Sequence, residues 1–249
     1  MTKNKSIVIF GGSSCIASDV AKIWIQESNV DLILVGRNIK KLHSTSSELS
    51  SINPLSKITC KELVFEDIEI GQKLINEIFS STIVSKVLIA FGTLPLQSQC
   101  EKDFLYLKEA MFINGILPIL YSEMIVSIIN KDHYSTHAII GSVAGDRGRK
   151  SNYFYGSAKN MISTYVQGAR HRFSKTKLNV CVIKPGPTLT PMTESLEMKF
   201  KLSNSKTVAK DIVKGIQKKQ SVIYTPKKWR LIMFAIRNLP EFIFHKLEI

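Results

Sequence analysis

The chain has 249 residues, 44% of them apolar, which favours one α/β domain with a single large core. A formal charge of +14 at pH 7 favours phosphate-bearing ligands, nucleic acid or an anionic membrane face, without choosing among them. The four cysteines are widely spaced and form no CxxC pair, so neither disulfides nor a zinc site is predicted, and no metal is expected.

No targeting or membrane-spanning segment is predicted. The N-terminal MTKNKS lacks the long apolar stretch of a secretory signal, so a cytoplasmic protein is expected. A spanning helix needs roughly 18 uncharged apolar residues. The nearest stretch, Ile113 to Ile129, contains Pro118 and Glu123 and is interpreted as a buried helix.

Short apolar runs rich in β-branched residues alternate with longer segments of helical spacing. This alternation predicts a parallel sheet of about seven strands, doubly wound with helices on both faces, as in a single Rossmann-type domain over residues 1–225. A tail over residues 226–249 follows it. The predicted strands are SIVIF (Ser6 to Phe10), VDLILV (Val30 to Val35), the weaker KITCKELVF (57–65), KVLIAF (Lys86 to Phe91), HAIIGS (His137 to Ser142), NVCVIKP (Asn179 to Pro185) and SVIYT (Ser221 to Thr225).

The first predicted strand runs into a glycine turn and then a helix, in the segment FGGSSCIASDVA (Phe10 to Ala21). Unbonded backbone N–H groups and the helix dipole at such a helix start can bind a pyrophosphate. An ordinary βα connection could have the same sequence. The candidate cofactor-binding residues of this turn are Gly11, Ser13, Ser14 and Ile16.

The second predicted strand ends at Gly36, Arg37 and Asn38, with no acidic residue to receive a ribose 2′-hydroxyl. An arginine at this point can accept the 2′-phosphate of NADP, so NADP(H) is the preferred cofactor and NAD(H) remains possible. The alternative is that Arg37 is a solvated loop charge.

The segment GSVAGDRGRKSNYFYGSAK (Gly141 to Lys159) carries the strongest functional signal. Tyr155 and Lys159 are spaced i, i+4 on one helix face, and Ser142 ends a predicted strand thirteen residues before the tyrosine. An ammonium near a phenol lowers its pKa, which would make Tyr155 an acid or base near neutral pH. A lone YxxxK pair is usually helix surface, but this pair follows a nucleotide turn and a strand-end serine.

On these motifs the chain resembles the short-chain dehydrogenase/reductase family over its whole length. In the family's TGxxxGxG turn, Gly11 keeps the first glycine while Cys15 and Ala17 stand at the second and third. The resemblance implies four catalytic residues, Tyr155, Lys159, Ser142 and Asn114. It also implies further cofactor contacts at Asp67, Ile68, Ala90, Gly92, Pro185, Gly186, Thr188 and Thr190.

The implied reaction is hydride transfer from the nicotinamide to a ketone, with Tyr155 giving the proton. Ser142 would hydrogen-bond the ketone oxygen, Lys159 would hold the nicotinamide ribose, and Asn114 would organise a water. Family members are commonly homodimers or homotetramers.

Within the family the chain most resembles the decaprenylphosphoryl-2-ketoribose reductases. That resemblance implies a polyprenyl-phosphoryl keto-sugar as substrate, in synthesis of cell-envelope polysaccharide precursors, and a separate flavin oxidase as partner. The basic loop before Tyr155 would then meet the lipid phosphate, since arginine can grip phosphate bidentately. The candidate substrate residues are Arg147, Arg149 and Asn152, and a solvated basic loop is the alternative.

In the tail, Trp229, Ile232, Met233, Ile236 and Leu239 are helically spaced, with Lys227, Arg230 and Arg237 on another side. A basic amphipathic helix with a tryptophan suits the headgroup boundary of a membrane, which predicts peripheral attachment to the inner face of the cell membrane. Packing on the domain or across a dimer is the alternative.

Two other functions stay open. A soluble keto-sugar, steroid or acyl ketone could be the substrate, or the chain could be a dinucleotide-sensing regulator without turnover. Nucleic acid is not an expected partner, because no helix-turn-helix, zinc or aromatic RNA signature accompanies the charge.

Overall fold

A computed structural model describes residues 5–194 and 202–247. Seven parallel strands form its central sheet: β1 (Lys5–Phe10), β2 (Asp31–Gly36), β3 (Ile58–Glu62), β4 (Ile83–Ile89), β5 (Ser135–Ile140), β6 (Leu178–Pro185) and β9 (Val222–Thr225). Their order is β3-β2-β1-β4-β5-β6-β9. A separate short pair joins β7 (Thr188–Leu189) to β8 (Ser203–Asn204). The predicted seven-stranded doubly wound sheet is therefore confirmed.

Helices cover both faces of the sheet. They are α1 (Cys15–Glu27), α2 (Ile39–Ile52), α3 (Ile68–Ser81), α4 (Gln97–Cys100), α5 (Phe104–Met111), α6 (Leu117–Ile128), α7 (Tyr153–Arg172), α8 (Ser205–Gln217), α9 (Lys228–Asn238) and α10 (Glu241–Phe244). A π-helical turn (Phe112–Ile116) joins α5 to α6, and a 3-10 turn (Val143–Asp146) follows β5.

Strand β1 shows why the sheet needs helices on both faces. Its alternate side chains enter two cores: Ile7 and Ile9 pack with α1, α2 and α8, while Val8 and Phe10 pack with α3, α6 and α7. All four are fully buried. A strand buried on both faces has a continuous apolar sequence, which is the pattern seen in SIVIF.

The sheet changes direction of winding between β1 and β4, which pair in parallel with Phe10 opposite Ile89. In open α/β sheets, ligands bind outside the carboxyl ends of the strands at this switch point. Gly11 and Ala90 follow the two strands directly, and β5 brings Ser142 to the same edge. The candidate cofactor and catalytic residues thus come from successive strand ends.

One helical stretch is longer than the sequence indicated. Residues 104–128 are long and apolar enough to cross a membrane by length and composition. Half of its most apolar 18 residues are buried inside the domain, and Leu117, Tyr121 and Ile125 belong to the core on one face of the sheet. The stretch contains Lys108, Glu109 and Glu123, so it is not an uncharged apolar run, and its packing agrees with the interpretation of Ile113 to Ile129 as a buried helix.

Helix α9 packs its apolar stripe on the domain. Trp229 is 7% exposed and Met233 2%, and both contact Val143 beside the candidate catalytic serine. A Cβ at Gly186 would lie only 1.9 Å from Trp229 Nε1, so the indole fills the space that the glycine leaves. Trp229 therefore cannot be the membrane-inserting residue that the sequence suggested, because its ring is already part of the fold.

Candidate active site

The glycine turn after β1 is tight and needs a glycine at its first position. Gly11 has φ +84°, and a Cβ there would lie 2.7 Å from the backbone nitrogen of Phe91. The Ser14 hydroxyl then caps α1 by accepting from the Ala17 N–H at 3.3 Å. The next N–H groups, of Cys15 and Ile16, belong to the first turn of α1, where no intrahelical acceptor exists. This end of α1 fits a pyrophosphate.

Three other predicted cofactor residues lie in the segments that follow β2 and β3. The Arg37 guanidinium lies 3.9 Å from the Glu66 carboxylate, a loose pair between two solvent-exposed side chains. Asp67 caps α3 by accepting from the Ile70 N–H, and Ile68 is the first residue of that helix. Neither Arg37 nor Asp67 contacts the catalytic residues, and both flank the edge where β2 and β3 end.

Helix α7 and the 3-10 turn before it carry the candidate catalytic residues. Tyr155 and Lys159 lie one turn apart on α7, with the Lys159 Nζ 5.7 Å from the centre of the Tyr155 ring. Ser142 stands between β5 and the 3-10 turn, where its Oγ accepts from the Ala144 N–H at 3.1 Å. That acceptance leaves the Ser142 O–H available as a donor, and it is directed at the Tyr155 hydroxyl.

Burial governs the protonation of both α7 groups. It lowers the pKa of Lys159 from 10.5 to about 8 and raises the pKa of Tyr155 to about 12, where a hydrogen bond with Ser142 opposes the rise. The expected lowering of the tyrosine pKa by the ammonium is thus not seen. The Lys159 Nζ instead donates to the Ile140 carbonyl at 3.3 Å. Tyr155 holds its proton at neutral pH and suits a proton donor.

Asn114 is fully buried in the π-helical turn, a feature often found at functional sites. Its Nδ2 donates to Thr93 Oγ1 and to the Ala110 carbonyl, and its Oδ1 accepts from the Thr93 N–H, all at 3.0 Å. The side chain thereby fixes the segment after β4. A Cβ at Gly92 would lie 3.0 Å from Asn114 Oδ1 and 3.5 Å from Lys159 Nζ, so Gly92 adjoins the catalytic group.

The segment after β6 forms the opposite wall. Thr188 is buried, with its hydroxyl donating to the Gly186 carbonyl at 2.8 Å. Thr190 is held by Thr193, whose Oγ1 accepts from the Thr190 N–H and donates to the Thr188 carbonyl. Pro185 ends β6. These contacts make an ordered turn where the resemblance places the nicotinamide end.

A buried charged cluster supports the catalytic turn. The Asp146 carboxylate pairs with the Lys184 ammonium through Oδ1 and accepts from the Tyr224 hydroxyl through Oδ2 at 2.7 Å. The side chains of Asp146 and Lys184 are 1% and 8% exposed. The cluster therefore ties the turn after Ser142 to β6 and β9.

The two arginines of the basic loop have different surroundings. The Arg147 guanidinium donates to the carbonyls of Ile236 and Leu239, each at 2.6 Å, and stacks on the Phe244 ring. It caps the end of α9. Because the Nη1 group of Arg147 already holds the tail, Arg147 is less suited than Arg149 to bind a phosphate, and its role as a phosphate ligand stays a prediction.

Arg149 and Asn152 differ from Arg147 in having unsatisfied polar atoms. Arg149 Nε and Asn152 Oδ1 are both buried and have no hydrogen-bond partner among the described residues. Burial also lowers the pKa of Arg149. A buried unpaired group in a native fold needs an explanation, and an absent ligand is one.

Several supporting residues were not predicted from the sequence. They are Thr93, the Ile140 carbonyl, Lys184, Tyr224 and, as the neighbour of Gly186, Trp229. Thr93 and Tyr224 had no signal, since each meets its partner across a long stretch of chain. Lys184 did have one: a charged residue within the otherwise apolar run NVCVIKP is expected to have a buried partner.

Comparisons with known proteins agree with this geometry. The family model described as short chain dehydrogenase matches residues 5–200. An uncharacterized oxidoreductase of Streptomyces coelicolor is 24% identical over 98% of this chain and 96% of its own length. One of Mycobacterium tuberculosis is 22% identical over 97% and 96%. A short chain dehydrogenase structure from Burkholderia cenocepacia, in complex with NADP, matches with a TM-score of 0.83 at 12% identity over 100% of both chains, a likeness of fold.

Proposed function

The chain belongs to the short-chain dehydrogenase family of NAD(P)-dependent oxidoreductases, and we propose that it uses NADP(H) to reduce the ketone of a lipid-linked sugar phosphate. The observation that carries the proposal is the unpaired Arg149 Nε on the loop between Ser142 and Tyr155. A phosphate oxygen would satisfy this donor. Asn152 Oδ1, also unpaired, would accept from a sugar hydroxyl.

The chain's own groups supply proton transfer and orientation. Tyr155, which holds its proton at neutral pH, donates it to the ketone oxygen as the alcohol forms. The Ser142 hydroxyl, which hydrogen-bonds Tyr155, would donate to the ketone oxygen when substrate is bound, and buried Lys159 lies beside the phenol. The glycine turn and the residues after β4 and β6 would hold a reduced dinucleotide, which would supply the hydride.

The substrate class follows from resemblance as well as from the loop. We propose the 2-keto pentose of a polyprenyl-phosphoryl sugar, as in the decaprenylphosphoryl-2-ketoribose reductases, in cell-envelope polysaccharide synthesis. A separate flavin oxidase would supply that ketone. We place the enzyme in the cytoplasm, peripheral to the inner face of the membrane, as a homodimer or homotetramer, with residues 226–249 as its tail.

The test is a turnover screen with NADPH on three ketones that carry the same pentose. One bears polyprenyl phosphate, one a short alkyl phosphate and one no phosphate. We expect kcat/KM to fall when the polyprenyl chain is shortened and again when the phosphate is removed. Tyr155→Phe should abolish turnover while NADPH still binds. Arg149→Ala should raise KM about tenfold for phosphate-bearing substrates alone, consistent with one lost charged hydrogen bond.

Three outcomes would overturn the proposal. Equal turnover of the phosphate-free sugar would favour a soluble ketone. NADPH binding without turnover of any ketone would favour a dinucleotide-sensing regulator. An equal loss of kcat/KM in Arg149→Ala for substrates with and without phosphate would exclude the arginine from phosphate recognition. The control Arg149→Lys, which keeps the charge but lacks Nε, would show whether charge alone suffices.

A further inference from the structure

A second polar surface lies where α8, β9 and α9 meet, on elements that carry none of the candidate catalytic residues. A cavity of about 260 Å³ is lined there by four cationic side chains and one carboxylate. The cations are Lys214 and Lys218 at the end of α8, and Lys227 and Arg230 at the start of α9. The lining therefore has a net positive charge.

These four cations have no acidic partner within ion-pair distance in residues 5–194 and 202–247. The one carboxylate, Asp211, accepts from the Thr225 hydroxyl at 3.3 Å and so is turned partly into the fold. Four like charges around one cavity repel each other unless an anion joins them. The arrangement thus favours an anionic ligand.

Helix α9 adds exposed apolar side chains to the same surface. Lys227, Arg230, Leu231 and Phe234 are spaced i, i+3, i+4 and i+7, so they share one helix face. The opposite face carries the buried Trp229 and Met233. Leu231 is 75% exposed and Phe234 71%. Duplex DNA and free phosphate would not bury these exposed apolar side chains, whereas a lipid surface would.

We propose that these residues form an anionic-lipid surface, defined as Lys214, Lys218, Lys227, Arg230, Leu231 and Phe234. The cations bind the headgroup phosphates of an anionic membrane, and Leu231 and Phe234 enter the boundary between headgroups and acyl chains. This surface replaces the predicted membrane attachment through the face of α9 that carries Trp229. It deepens the peripheral location given under the proposed function, but it does not depend on which ketone is reduced.

The experiment is co-sedimentation of the full chain with phosphatidylglycerol vesicles and with phosphatidylcholine vesicles, at low and high salt. We expect binding to phosphatidylglycerol that weakens with salt. The pair Lys227→Glu and Arg230→Glu should lower the partition coefficient about tenfold or more, and Leu231→Ser with Phe234→Ser several-fold. The matched control is Lys73→Glu with Lys175→Glu, which changes the net charge equally at exposed sites elsewhere and should stay within about twofold of the parent.

Thermal unfolding of each variant verifies that it folds, and NADPH binding verifies that its candidate cofactor site is intact. The proposal is overturned if the parent stays in the supernatant with phosphatidylglycerol at low salt, or if the control pair loses as much binding as the α9 pair. It is also overturned if inorganic phosphate at matched ionic strength displaces the protein from the vesicles. The same holds if the Lys227→Glu and Arg230→Glu pair weakens binding to duplex DNA but not binding to vesicles. Vesicle binding without turnover of a lipid-linked ketone would refute the proposed function and leave this surface standing.

Discussion

The two halves of the sheet place polar groups at their strand ends in different ways. After β1, β2 and the β3 segment, Ser14, Asn38 and Asp67 each cap the helix that follows, within three residues of themselves. After β5 and β6, by contrast, Asp146 and Lys184 pair in the interior across 38 residues of chain. The cofactor half thus uses local caps at these positions, whereas the catalytic half adds a buried, long-range pair to its local cap at Ser142.

This difference follows from what each half has to do. A dinucleotide binds along helix starts, and caps that leave other N–H groups free are enough for it. Proton transfer needs groups held in fixed positions and shielded from water, which burial provides. The catalytic half should therefore be the less tolerant of single polar substitutions.

The largest effect is expected at the buried pair. Asp146→Ala leaves the Lys184 ammonium buried without its partner, and breaking such a pair costs about 3–5 kcal/mol of unfolding free energy. Urea unfolding would measure the loss. The double variant with Lys184→Met should recover most of it, since an apolar pair can replace a buried ion pair. A single-variant loss under about 1 kcal/mol would contradict the contrast between the halves.

The second effect concerns cofactor choice in the solvated half. Arg37→Ala should lower kcat/KM for NADPH by about ten- to a hundredfold and change the NADH value little, because only NADPH carries the 2′-phosphate. Initial rates at subsaturating cofactor measure both values, with Lys73→Ala as control. Equal losses for the two cofactors would show that Arg37 is only a solvated loop charge paired with Glu66.

The third prediction concerns Lys159, whose replacement should abolish turnover but stabilise the fold. Burial lowers the pKa of Lys159 to about 8, so below that pH the folded protein keeps a charge in a poorly solvated site. Lys159→Met should abolish turnover yet raise the unfolding free energy at pH 7 by roughly 1–3 kcal/mol. Because the folded pKa lies below the unfolded one, the parent gains stability between about pH 8 and 10.5, and the difference should shrink there. Urea unfolding midpoints of parent and variant at pH 7 and 9.5 would test this. A stability difference that does not change with pH would exclude the buried Lys159 charge as its cause.

The same contrast explains what the sequence could predict. Seven strands were recognisable because each is an apolar run, although the run Lys86 to Phe91 corresponds to a strand of Ile83–Ile89. The i, i+4 spacing of Tyr155 and Lys159 placed the catalytic pair on one helix. Such signals depend only on residues close together in the sequence, so they can be recognised without knowing the tertiary contacts.

The unpredicted parts depend on contacts distant in sequence. Arg147 looked like a phosphate ligand, but carbonyls 89 and 92 residues away hold its guanidinium. The apolar stripe of α9 predicted an amphipathic helix without indicating whether Trp229 would face lipid or Gly186. The expected lowering of the Tyr155 pKa rested on charge proximity, whereas the degree of burial, which spacing does not reveal, dominates.

The smallest effect tests the local caps. Asn38 Oδ1 accepts from the Lys41 N–H at 3.0 Å at the exposed start of α2, so Asn38→Ala removes one cap. The expected cost is about 1 kcal/mol, or a Tm lower by roughly 2–4 °C in a chain of this size. Asn38→Asp keeps an acceptor at the same point and should unfold like the parent.

Measuring cofactor preference distinguishes the capping role of Asn38 from the cofactor-binding role proposed for its neighbour Arg37. If Asn38 acts only by capping α2, the NADPH to NADH ratio of kcat/KM should stay within about twofold of the parent in both variants. A Tm loss well beyond the range of a single cap would mean that the cofactor half also depends on long-range polar contacts, and the contrast with Asp146 and Lys184 would fail. A changed cofactor ratio at unchanged Tm would instead assign Asn38 to the 2′-phosphate site beside Arg37.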